Sequence, residues 1–132
     1  MILVSPMGRG AVCAFLAMIV TSPAVAQDRT PAQRQTLVEL AYVLGQSHAL
    51  RQACMGPLDQ YWRERMARLV RTESPDNAFD VRLRDSFNAG FSTSQSEFPV
   101  CGPQSRAEEI KAAARGKALA EALAREVSIV QP

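Results

Sequence analysis

A chain of 132 residues with 15 Lys+Arg against 13 Asp+Glu carries a formal charge of only +2, and 47% of its residues are apolar. Charge so near balance leaves no electrostatic footprint for nucleic acid or for an anionic lipid surface. The length suits one domain with an adequate core and little surplus.

Residues 1–26 read as an export signal. Arg9 is their only charge, Ala11 to Val20 form an apolar run, and Pro23 leads into Ala24-Val25-Ala26, a small-x-small site before Gln27. Cleavage is expected between Ala26 and Gln27. The run is shorter than the roughly 20 apolar residues a transmembrane helix needs, and Met7 is an alternative start to Met1. No Arg-Arg pair supports twin-arginine export. Cys13 follows Gly-Ala-Val at the start of the apolar run, where no lipid-attachment box would sit. Residues 27–132 then form a single periplasmic domain, its ordered core spanning about 31–128, with a net charge near +1 and no transmembrane segment.

The first helix opens on Thr30-Pro31-Ala32-Gln33, a capping box with proline at the first helical position. Leu37, Leu40, Ala41, Leu44 and His48 follow as one stripe, Arg51 suits the dipole of the last turn, and Cys54 stands at the end. Gly56-Pro57 stops this helix and starts a second, whose stripe is Leu58, Trp62, Met66 and Leu69, with Tyr61 and Val70 beside it. Asp59–Arg63 and Glu64–Arg68 are acid-before-base pairs at helical spacing, so the arginines between Arg63 and Arg71 read as a solvated face. Ser74-Pro75-Asp76 restarts the chain with a cap, a proline and an acid. Phe79, Leu83, Phe87 and Phe91 recur every four residues as a core stripe. Helix propensity weakens around residues 88–94, which leaves the end of the third helix open between 88 and 98.

Cys101-Gly102-Pro103 repeats the earlier punctuation. The fourth helix begins either at a capping box, Ser105 to Glu108, or at Pro103. Its stripe reads Ile110, Ala114, Leu119, Leu123 and Val127, with Glu121–Arg125 outside and small residues that permit close helix approach. Residues 129–132 are expected to fray. No stretch alternates as a strand does. The fold class is therefore all-α, a bundle of about four helices in two hairpins. In an up-down-up-down arrangement the first and third connections lie at the same end, and these hold Cys54 and Cys101. An even cysteine count in an oxidising compartment reads as a disulfide. Closing a loop of about 48 residues would contribute roughly 4 kcal/mol by chain entropy.

Chemical constellations are scarce. Cys-x-x-Cys redox and haem motifs are missing, as are a Gly-x-Ser-x-Gly elbow, a phosphate loop and His-Glu-x-x-His. His48 is the only histidine. With Cys54 and Met55 it makes the one candidate soft-metal set, for copper. No catalytic residue, cofactor or resident metal is assigned.

The stretch ELAYVLGQSHALRQAC (39–54), running on to DQYWRERM (59–66), with FNAGF (87–91) and FPVC (98–101), resembles a family of small exported alphaproteobacterial proteins catalogued as a domain of unknown function. The resemblance implies export and a paired-cysteine helical domain. It carries over no site residues. The leading functional reading is a non-catalytic binding, adaptor or envelope-associated module that acts on an unidentified protein partner. The alternative is a thiol-redox or copper-handling protein using Cys54, Met55 and His48; a small hydrolase or lyase would need a polar pocket. The sequence leaves open the oligomeric state and whether Tyr61, Trp62 and the Phe stripe are core or interface.

Overall fold

The computed structural model describes the backbone of residues 28–130 and the side chains of residues 28–126. The export signal, the Ala26–Gln27 junction, the Val127 side chain and the fraying of 129–132 lie outside the described side chains or backbone. Four helices make up the domain: α1 (Pro31–Met55), α2 (Tyr61–Glu73), α3 (Asn77–Glu97) and α4 (Pro103–Val130).

The capping box at the head of α1 is made in both directions. The Gln33 N–H donates to Thr30 Oγ1 at 3.2 Å, and the Thr30 N–H donates to Gln33 Oε1 at 2.9 Å. From Gly45 to Leu50 α1 is buried on every side, all six residues being shielded from water, before it emerges again in its last turn. That is the environment of a central helix, and α2, α3 and α4 all pack against it. Among the described residues, α4 makes no close backbone approach to α2 or to α3.

Cross-helix contacts give the directions. Ser86 Oγ donates to the Val38 carbonyl at 2.7 Å, and Arg34 reaches Asp76, so α3 runs parallel to α1. Cys101 is bonded to Cys54 while Arg115 reaches Gln46, so α4 runs antiparallel. The disulfide ties the last turn of α1, at Cys54, to the α3–α4 connection, at Cys101, with the two Cα atoms 4.8 Å apart, so Cys54 stands inside the helix and not in the loop after it. The larger core cluster brings Leu37, Leu40, Met66, Phe79, Leu83 and Phe87 together. A smaller one, Val43, Leu50 and Ala112, lies between α1 and α4.

α1 and α3 cross at two glycines. A Cβ on Gly45 would overlap the Phe87 carbonyl, and one on Gly90 would overlap the Tyr42 carbonyl. This close approach carries α3 through its weak stretch to Glu97, with Gly90 and Ser94 both buried. Backbone proximity to α1 offsets the roughly 1 kcal/mol that a mid-helix glycine costs.

Several helix boundaries differ from the sequence expectation. α2 begins at Tyr61, not at Pro57, and Leu58 is 90% exposed instead of belonging to its stripe. Gly56 takes φ 101°, the Asp59 N–H bonds back to its carbonyl, and the Gln52 amide donates to the carbonyls of Pro57 and Asp59. The connection is thus bonded down as a turn. Ser74 caps the end of α2 in the left-handed region (φ 44°), and Asp76 is the N-cap of α3, accepting from the Phe79 N–H at 2.9 Å. α4 starts at Pro103, because Ser105 Oγ turns back to bond both the N–H and the carbonyl of Gly102.

The stripe on α4 holds at Leu119, which packs against the core, and at buried Leu123, and is corrected in its first half: Ile110 is 72% exposed and Ala114 is exposed, with Ala112 buried instead. Ile110 and Leu119 stand nine residues apart, half a turn out of phase in a helix of 3.6 residues per turn, so they lie on opposite faces.

Candidate functional site: an apolar cleft between α2 and α4

Because α2 and α4 lean on α1 without meeting, a cleft of ≈520 Å³ opens between them. Its floor is α1, through Leu40, Val43 and Leu44. One wall is Trp62 and Leu69 of α2. The other is built from small residues of α4: Ala112, Ala113, Gly116 and Ala120. A four-helix bundle normally fills this space with large side chains from both helices. Here α4 offers alanines and a glycine, so the space stays open.

The lip is cationic. Arg65 and Arg68 stand on the α2 side and Lys117 on the α4 side. Among the described residues, no carboxylate is ion-paired with Arg63, Arg65, Arg68 or Arg71. The expected helical pairs are replaced. Asp59 accepts from Arg51 Nε at 3.0 Å in place of Arg63, Glu64 does not pair Arg68, and Glu121 meets Lys117 at 3.8 Å in place of Arg125. The Arg65 guanidinium lies over the Tyr61 ring, 3.4 Å from its centroid, and 5.5 Å from that of Trp62. This stacking holds the aromatic wall and its cation as one unit.

The residues singled out for copper are not brought together. Cys54 is bonded to Cys101, Met55 is 63% exposed beside it, and His48 is buried. The His48 ring packs between Phe87 and Phe91, with centroids 5.7 and 5.3 Å away. The Gln52 amide nitrogen lies 3.3 Å from His48 Nε2. The two N–H bonds of that amide serve the carbonyls of Pro57 and Asp59, at 2.9 and 3.0 Å, and His48 Nδ1 is buried with no hydrogen-bond partner. Burial lowers the His48 pKa below 6.5; Arg63 lowers it further and Asp59 opposes both. Among the described residues no three His, Cys, Asp or Glu side chains are grouped as a metal would require.

Other features have no simple sequence signal. Arg29 reaches 44 residues along the chain to grip both oxygens of Glu73, at 2.9 and 2.8 Å, and both side chains are largely buried. Its partner raises the Arg29 pKa. The cationic lip was legible only as a run of arginines on α2, and the small-residue wall only as an Ala-rich helix.

Taken together, fold and cleft define a disulfide-joined all-α domain with an apolar recess between α2 and α4. The chain belongs to the family described as "Protein of unknown function (DUF2385)", whose model matches residues 32–126. That span holds both cysteines of the disulfide and every residue named in the cleft. No curated protein and no solved structure matches the chain. No helix among the described residues is long and apolar enough to cross a membrane.

Proposed function

We propose that this protein is a non-catalytic binding module of the cell envelope, exported by cleavage of residues 1–26 before Gln27 and working in the periplasm. The observation that carries the reading is the α2–α4 cleft: ≈520 Å³ of mainly apolar space left open beside a packed core. Recesses of roughly 300–1,000 Å³ with apolar walls and a few placed polar groups are the usual form of a small-molecule site. The Cys54–Cys101 bond is compatible with an oxidising compartment, and the n-region, apolar run and Ala-Val-Ala junction support export.

A neutral solvatochromic dye such as Nile red tests the binding role. It should bind saturably to the domain. Ala113→Phe should abolish binding, because Ala113 is an exposed cleft residue whose enlargement fills the recess without entering the core. The melting temperature of that variant should match the parent. Absence of saturable binding, or equal binding by the folded variant, would refute the cleft as a functional site.

A further inference from the structure

We propose, building on that reading, that the occupant of the cleft is a single-chain anionic amphiphile, specifically a long-chain fatty acid. Its alkyl chain would lie along α1 between Trp62 and the alanines of α4. Its carboxylate would be held at the lip by Arg68 and Arg65, with Lys117 facing them.

Size is the first argument. The ≈520 Å³ of the cleft falls within the roughly 300–1,000 Å³ of sites that take one small molecule, and a single long alkyl chain is a ligand of that class.

Charge is the second. The three cations that border the apolar space come from both walls, and those of α2 have no carboxylate partner among the described residues. Lys117 has only the exposed 3.8 Å contact with Glu121. Unneutralised guanidinium groups beside an apolar slot complement a ligand that is apolar along its length and anionic at one end, and arginine matches a carboxylate with two parallel hydrogen bonds.

Trp62 is the only tryptophan in the chain, and it lines the cleft, so its fluorescence reports occupancy directly. The experiment titrates the disulfide-intact domain with hexadecanoate, hexadecan-1-ol and 1-palmitoyl lysophosphatidylcholine, each below its aggregation threshold, with native mass spectrometry for stoichiometry. The expected result is one hexadecanoate per chain, bound at least tenfold more tightly than the alcohol or the zwitterionic lysolipid. Arg68→Glu and Lys117→Glu, both at exposed positions, should remove that preference while alcohol binding and melting temperature stay unchanged. Equal binding of acid and alcohol, or a preference that survives both charge reversals, overturns the fatty-acid assignment but leaves the cleft as an apolar site. Tighter binding of the lysolipid, or displacement of Nile red by an acidic amphipathic helical peptide but not by hexadecanoate, overturns it in favour of that ligand. Failure of every probe, the neutral dye included, removes the binding role as well.

Discussion

Replacing Gly45 with alanine should destabilise the domain by about 2–3 kcal/mol or more, although the same change usually stabilises a helix by about 1 kcal/mol. The new Cβ would overlap the carbonyl oxygen of Phe87 and sit 2.8 Å from its carbonyl carbon and 2.9 Å from the Phe91 nitrogen. All three are backbone atoms of α3, so no rotamer change relieves the clash and the two helices must part. A gap of about 0.5–1 Å forfeits a quarter to a half of the dispersion energy along the contact. Overpacking typically costs about 1–3 kcal/mol and occasionally more. Because only backbone atoms are met, the cost here lies at or above the top of that range, which leaves the predicted loss after the propensity gain of about 1 kcal/mol. At about 4–8 °C per kcal/mol for a domain of this size, the melting temperature should fall by roughly 10–20 °C. Thermal and urea unfolding followed by circular dichroism, with the disulfide intact, measure it. Gly116→Ala is the internal comparison. Its Cβ meets only Val43 Cγ1, at 3.3 Å, a side-chain atom that yields, so stability should stay within about 1 kcal/mol of the parent. Gly90→Ala should resemble Gly45→Ala, and the double variant should cost less than the sum, because helices already parted accommodate the second methyl. A Gly45→Ala melting temperature within a few degrees of the parent, or a larger loss at Gly116, would refute the crossing argument.

Replacing Cys54 and Cys101 together by serine should lower stability by up to about 4 kcal/mol, the chain-entropy value for this loop; an unchanged urea midpoint would show that the bond adds no constraint. Glu73→Ala should cost about 2–4 kcal/mol, since it strands the largely buried Arg29 guanidinium, and Glu73→Gln should cost less; a loss below about 0.5 kcal/mol would place the pair among ordinary surface ion pairs. The folded pKa of His48 is lowered, so the unfolded chain binds the proton first. Its contribution is fully present above 6.5, declines as pH falls from there toward the folded pKa, and levels off below it. Unfolding free energy measured across that window should show the slope in the parent and lose it in His48→Asn. An equal slope in both would assign the titration elsewhere.

Short-range chemistry was legible in the residues themselves. The Thr30–Gln33 box and the four-residue recurrence of Phe79, Leu83 and Phe87 act within one or two turns, so neighbouring residues suffice to specify them. The Cys54–Cys101 pair followed from placing two cysteines in connections that share one end of the bundle. Tertiary structure decided what depends on distances between helices. Periodicity found Leu119 and Leu123, but in an Ala-rich helix most faces are equally tolerable to bury, so packing against α1 chose Ala112 over Ile110. One expected local charge pair lost to a longer-range one, since Asp59 took Arg51 and left Arg63 without it, and Glu73, with no base at helical spacing, found Arg29 from 44 residues away. The cleft is a space between helices whose backbones, among the described residues, make no close approach. Its walls are written in the sequence as Trp62, Leu69 and a run of alanines, but its width comes from how far α2 and α4 stand apart on α1, a separation no single segment encodes.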